Sequence, residues 1–326
     1  MQSLSPHWSL GDERGARESF SAFNTLCWIY TPQEPTPETK TLFKAIRDSV
    51  LSWQKRLSRF DPLSLISRIN REAHLKAIPL PPGEWSLLRL CKEYHRSSGG
   101  LFDVSLGRVA DRWRETLRKG APPPSREESL ALAEAAGMER VFLDNRSRTV
   151  RFLSPGPSLD LGALGKGFIL ERVAELLHSR SAPPTAVSLG DSSILFHRLP
   201  SPGRLWSLLL EAPLQPNLFI KELLLPALSA TTSGGTYQHA SLGEGIAGHV
   251  FHPLSGIPVD ASLQYTVLST SPLLGEFLST TLLLLPFQEI PLFLEAFPGV
   301  EVFRVTSKGV ERLTRPWYTH GGSDHE

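Results

Sequence analysis

The stretch "SLDLGALGKGFILERVAELL", residues 158–177, sets glycines and a lysine immediately ahead of a helical pattern. A nucleoside-triphosphate P-loop needs two glycines with four residues between them, then Lys, then Ser or Thr. Here only two residues separate Gly162 from Gly165, and Lys166 is followed by Gly167. Spacing and the missing hydroxyl exclude that reading. Glycines let backbone approach a neighbour closely, but something other than a P-loop must account for Asp160, the glycines and Lys166 standing so close together. The helix behind it is expected to run to about Leu177.

Composition narrows the setting. The chain has 326 residues, 40% hydrophobic and 21% charged, enough for a substantial core. A net charge of +1 gives no long-range field to recruit nucleic acid or an anionic membrane. The basic run "RVADRWRETLRKG" is interspersed with acids and reads as a solvated helix face. Two cysteines, Cys27 and Cys91, are too few for a disulfide framework or a structural zinc site. The longest apolar stretch, residues 277–297, is broken by Pro286, Gln288, Glu289 and Pro291, so no membrane span is expected. The start lacks a basic n-region and an apolar h-region. The expectation is a soluble, cytoplasmic protein.

Along the chain, residues 17–32 read as a strand. A helix follows from Thr36 with Pro37 at its first position. "LISRINREA" and "EWSLLRLCKEYHRSSGG" read as helices, the second closed by Gly99 and Gly100. Two more helices lie on either side of "APPPS". Short strands are expected at "RVFLD", "TVRFL", "TAVSLG", "RLWSLLLEA", "NLFIKELL", "ALSATT", "GHVFHP" and "VEVFRV". Helices are expected over about 273–285 and 288–297. The pattern is α+β: one large domain over 17–315 with central mixed or antiparallel strands flanked by helices, and flexible tails at 1–16 and 316–326.

Four constellations carry chemistry. Glu276 and Thr280 stand four apart on one helix face; a carboxylate and a hydroxyl so placed offer two hard oxygens to Mg²⁺. The plain alternative is a helix acid beside a hydroxyl bonded to its own backbone. In "GGLFDVS", Asp103 follows Phe102 and fits either a ligand contact or a turn. His249 and His252 have no helix and no third partner to make a zinc site; one of them as a general base is the better reading. "ATTSGG", with Thr232, Ser233 and Gly234, offers hydroxyls and backbone donors for an anion nest, as any tight turn does.

Taken in order, these segments resemble the ApbE family of flavin transferases. "SAFNT" is similar to the family's opening A-M-G-T strand, and "LSRFDPLSLISRIN" to its aromatic, Ser and Asn segment. "GGLFDVSLG" is similar to G-x-F-D-x-T/S-x-G, and "LDLGALGKGFILE" to the signature D-L-G-G-x-A/G-K-G-Y-x-x-D. "AVSLGDSSI", "ATTSGG", "HVFHPLSGIP" and "GEFLSTTLLLL" resemble, in turn, a glycine-glycine-aspartate strand, a T-S-G turn, H-I-x-D-P-x-T-G-x-P and the A-D-x-L-S-T-A helix. The resemblance covers about Phe20 to Phe303. It implies a T-fold-related domain that binds FAD with Mg²⁺ at the pyrophosphate. It also implies transfer of FMN to a Thr or Ser of an acceptor flavoprotein, with release of AMP. By the same resemblance the Gly165 carbonyl, Glu276 and Thr280 would hold the metal, and Lys166 would face the FAD. Phe23, Phe60, Leu101, Phe102 and Asp103 would line the flavin or adenosine pocket. Asp160 would hold the loop and His249 would be the base.

The chain departs from the family pattern at several places. The metal-binding Asp is Glu276, the glycine-glycine-aspartate reads Gly190, Asp191, Ser192, the signature's last Asp is Glu171, and its usual Met is Phe23. Two alternatives stay open on these residues: an FAD pyrophosphatase giving FMN and AMP, and a non-catalytic flavin-binding scaffold. No G-x-G-x-x-G follows a strand, which sets a Rossmann oxidoreductase aside.

Overall fold

The computed structural model describes residues 15–119, 121–234, 240–242 and 245–316. Of the expected tails at 1–16 and 316–326, residues 1–14 and 317–326 lie outside the described residues, and Ala16 already belongs to the first strand. The chain opens on a hairpin of β1 (Ala16–Ala22) and β2 (Thr25–Thr31). The single strand expected over 17–32 is therefore two. Phe23 and Asn24 take φ of +55° and +58°, the turn geometry that matches the right-handed twist of paired strands.

Helix α1 (Pro37–Leu57) starts where the sequence indicates. Thr36 caps it, its hydroxyl accepting from the Thr39 amide at 3.2 Å, an arrangement that stabilises by about 1 kcal/mol. Leu42, Ile46 and Val50 form its buried stripe. Next come α2 (Leu65–Glu72), β3 (Ile78–Pro79), α3 (Pro82–Ser97), α4 (Gly107–Lys119), α5 (Arg126–Ala135), β4 (Val141–Asp144), β5 (Thr149–Phe152) and α6 (Gly165–Ser179). Gly99 and Gly100 close α3 with φ of +60° and +90°. The strand-rich half holds β6 (Thr185–Leu189), β7 (Ser193–His197), β8 (Trp206–Glu211), β9 (Phe219–Leu225), β10 (Ser229–Gly234), β11 (Ala240–Leu242), β12 (Gly245–Phe251), β13 (Pro258–Asp260) and β14 (Gln264–Ser269). The chain continues through α7 (Pro272–Leu282), α8 (Ile290–Leu294), β15 (Glu301–Thr306) and β16 (Gly309–Arg312). The helix expected over 288–297 is a short 3₁₀ turn followed by α8, with Pro291 near the junction.

An eight-stranded sheet, in the order β1-β2-β6-β7-β10-β14-β15-β16, organises the fold. Every neighbouring pair in it is antiparallel. Helices α1, α6 and α7 cover one face, where Val187, Leu189, Val267 and Val302 meet Ile46, Phe168 and Phe277. The other face carries the β8–β9 hairpin rather than helices. There Trp206, Leu208 and Leu225 pack on Tyr30, Phe196, Leu268 and Phe303. Burying each such side chain stabilises by roughly 1.5–3 kcal/mol. Because both faces are covered, β6 and β14 are buried along their whole length, and period-2 alternation disappears from their sequences. Sequence reading accordingly misses β14, and it misses β7 behind the turn residues Gly190–Ser192. Cys27 and Cys91 are buried free thiols. Among the described residues no helix is long and apolar enough to cross a membrane.

Candidate active site

The loop ahead of α6 is held from both sides. Asn70, at the end of "SRIN", exchanges two hydrogen bonds with the Leu159 backbone, at 2.7 and 2.9 Å. The Asp160 carboxylate accepts from the Gly162 amide at 2.9 Å and from Arg59 Nε at 2.8 Å. Arg59 is 5% exposed and also donates to Asp111 on α4 and to the Gly107 carbonyl. One guanidinium thus locks Asp160 to α4, a use of the fork geometry that lysine lacks. Sequence reasoning passed over Arg59, although it stands beside Phe60 in a segment already singled out. The turn closes as the Gly165 amide donates to the Leu161 carbonyl at 2.7 Å.

Two adjacent serines then meet two opposite charges. Lys166, in the first turn of α6, donates from its ammonium to Ser192 Oγ. Ser193 Oγ donates to Glu276 Oε1 on α7 at 2.6 Å, and both of these residues are buried. Burial pushes the Glu276 carboxyl above the usual carboxylate range, while the Lys166 charge, the Ser193 hydroxyl and the Gly167 amide hold it back. The helices touch here because Gly167 has no side chain: a Cβ would stand 2.6 Å from Glu276 Cγ and 2.7 Å from the Pro272 carbonyl oxygen. Gly165 is also buried, yet a Cβ there would meet nothing within 4 Å. A small open space therefore lies at the start of α6. Glu171, one turn further on, accepts from Ser271 at 2.5 Å, and Ser271 caps α7.

Along α7, Thr280 continues the Glu276 face. Ser233 Oγ lies 2.8 Å from Ser279 Oγ and 3.3 Å from Thr280 Oγ1. Thr232 Oγ1 meets Thr266 Oγ1 at 2.9 Å, and Gly234 follows at the strand's end. Gly234, His249 and Leu283 line one shallow crevice, so exposed His249 stands at the Thr280 end of α7. Its strand is anchored from below: Trp113 donates to the Gly256 carbonyl at 2.7 Å and stacks with Phe251. His252 spends Nδ1 on the Leu254 amide at 3.3 Å, a local turn contact.

The aromatic candidates divide. Phe23 sits half-buried at the β1–β2 turn, its amide donating to Gln54. Thr25, two residues on, touches the Gly190 turn that leads to Ser192. Phe60 is 65% exposed, with the Arg59 and Arg114 guanidinium groups over its ring. Leu101 is half-buried. Phe102 turns into the core, edge-on to Tyr94 and Phe277. Asp103 also faces inward: it accepts from the Ser105 amide and hydroxyl and the Met138 amide, and His95 lies 3.4 Å away. These three bonds make the turn that the sequence allows at Asp103. His95 Nδ1 lies 3.2 Å from the Phe102 carbonyl oxygen and 3.4 Å from Asp103, and its Nε2 lies 3.6 Å from Glu139.

Backbone carbonyl, carboxylate and hydroxyl are hard oxygens. At Gly165, Glu276 and Thr280 they are the donor chemistry that a small divalent cation takes, and the Glu276 carboxylate is buried. The model of the ApbE family matches residues 23–304. The chain belongs to the ApbE family. Relatives named FAD:protein FMN transferase include one from Chlamydia muridarum, 27% identical over 278 residues, covering 77% of this chain and 85% of the relative. Another, from Chlamydia trachomatis, is 29% identical over 254 residues, covering 77% and 75%. The ApbE fold is matched by the ApbE protein of Thermotoga maritima, at a TM-score of 0.80 and 20% identity over 91% of this chain and 96% of that one. The apo flavinyl transferase ApbE of Pseudomonas stutzeri gives 0.78 at 20% identity, over 93% and 96%.

Proposed function

We propose that this chain is an Mg²⁺-dependent FAD:protein FMN transferase that esterifies a Thr or Ser hydroxyl of an acceptor protein and releases AMP. One observation carries the reading: Ser192 and Ser193, adjacent in the chain, hold the Lys166 ammonium and the buried Glu276 carboxylate. Family membership and the names of the curated relatives support it.

In this reading the acceptor hydroxyl oxygen attacks the FMN phosphorus of FAD. A new P–O bond forms, the pyrophosphate P–O bond breaks, and AMP leaves with the electron pair. His249 takes the hydroxyl proton. Lys166 places positive charge beside the pyrophosphate. The Gly165 carbonyl, Glu276 and Thr280 would hold Mg²⁺, which when bound neutralises charge on the bridging phosphates. Arg59 and Asp160 keep the loop in register with α6. Phe23 and Phe60 offer apolar surface to the flavin.

Incubation with FAD, Mg²⁺ and a lysate containing candidate acceptors should give a fluorescent band that survives denaturing electrophoresis. The band should disappear with EDTA or with Glu276→Ala. Accumulation of FMN and AMP without a band would point to a pyrophosphatase instead, and unchanged FAD to a binding protein.

A further inference from the structure

We infer that Ser193 is a positioning residue that sets the reach of Glu276 and makes a glutamate serviceable where the family pattern has aspartate. The inference rests on the reading of Glu276 as a metal ligand.

The longer side chain poses a definite problem. A glutamate has one more rotatable bond than an aspartate, and without a fixed partner its carboxylate would sample several rotamers. Here the arm has little freedom. Gly167 lies against Glu276 Cγ so closely that even a methyl group there would collide with it. At the far end Ser193 Oγ donates to Oε1 at 2.6 Å. Ser193 is itself fully buried at the start of β7, in register with Thr231 of β10, and the next residue, Ile194, pairs with Ser188 of β6. It is a rigid donor, and charge-assisted hydrogen bonds of this length are the stronger kind.

Its neighbour completes the arrangement. Ser192 stands where the family's glycine-glycine-aspartate ends, and it receives the Lys166 ammonium. The same short turn therefore carries a neutral hydroxyl for the lysine and a neutral hydroxyl for the glutamate. Glu276, a departure from the family pattern, is in direct contact with Ser193, the residue that follows the departing Gly190–Ser192 turn. Glu276→Asp would draw the carboxylate back from Ser193, and Ser193→Ala would leave Oε1 without its donor. Either change should free the carboxylate to turn away, and together they should do no more than one alone.

Calorimetric titration of the full chain with Mg²⁺, with and without FAD, reads this without relying on turnover. Ser193→Ala and Glu276→Asp should each weaken Mg²⁺ binding about tenfold, the double variant should match the weaker single one, and Ser193→Thr, which keeps the hydroxyl, should bind nearly as wild type. Denaturation midpoints of each metal-free variant show that it is folded. Unchanged Mg²⁺ affinity in Ser193→Ala, or losses that multiply in the double variant, would overturn the inference while leaving Glu276 as a ligand. Undiminished Mg²⁺ binding in Glu276→Ala would overturn both.

Discussion

The approach of α6 to α7 at Gly167 gives a sharp quantitative expectation. In Gly167→Ala the new Cβ would lie 2.6 Å from Glu276 Cγ and 2.7 Å from the Pro272 carbonyl oxygen. The glutamate arm could shift, but the carbonyl belongs to the first turn of a packed helix. The helices must part or the Ala side chain must strain, at a cost of roughly 1–3 kcal/mol. Helix propensity returns about 1 kcal/mol, since alanine is favoured over glycine in a helix interior. The net loss should be about 1 kcal/mol and should not exceed ~2 kcal/mol, or about 2–4 °C in Tm. Gly165→Ala is the control, because nothing lies within 4 Å of its Cβ; it should stay within about 0.5 kcal/mol of wild type. Urea denaturation of the three proteins measures both. Yet Gly165→Ala fills the open space, so it should lose flavin transfer while keeping its fold. If Gly167→Ala proves as stable as Gly165→Ala, the packing account of this junction is wrong.

Other expectations follow from the same geometry. Glu276→Gln removes a carboxylate whose folded pKa is raised by burial. Such a group costs stability once pH exceeds its unfolded value of about 4.3, so the metal-free variant should match or exceed the wild-type midpoint at neutral pH and converge with it in acid. Its Mg²⁺-dependent gain in Tm should vanish. Arg59→Lys loses the fork that joins Asp160, Asp111 and the Gly107 carbonyl; a destabilisation of about 1–3 kcal/mol in denaturant and weaker FAD binding by fluorescence quenching are expected. His252 has its pKa lowered by burial. The folded chain therefore resists protonation there, and stability should fall as pH drops below about 6.5. His252→Asn, which keeps an acceptor for the Leu254 amide, should make that fall shallower in pH-dependent melts.

Much of the fold is readable because local signals and tertiary packing agree. Thr36 with Pro37 begins a helix, Gly99–Gly100 ends one, and the glycine-flanked Lys166 does open α6. Signals fail where they are local but the outcome is not. Phe23–Asn24 turns the chain because β2 must pair with both β1 and β6. The strands β7 and β14 hide because a helix layer and a hairpin layer cover both faces of the sheet, leaving no polar alternation. At the site, ordered motifs brought Lys166, Glu276 and Thr280 forward. Arg59 and Ser193 stayed unseen because each acts through a residue distant in sequence: Asp160 is 101 positions from Arg59 and Glu276 is 83 from Ser193. Asp103 shows the opposite case. A motif position that looks exposed to a ligand is committed to three protein donors.

The most direct measurement is the ratio of AMP released to acceptor flavinylated, with purified chain, FAD, Mg²⁺ and an acceptor domain carrying a Thr or Ser flavinylation motif. Chromatography quantifies AMP, and intact-protein mass spectrometry counts acceptor carrying one FMN. A transferase should give one AMP per modified acceptor, with neither product formed by Glu276→Ala. AMP in large excess over modified acceptor, or full activity in Glu276→Ala, would contradict the account.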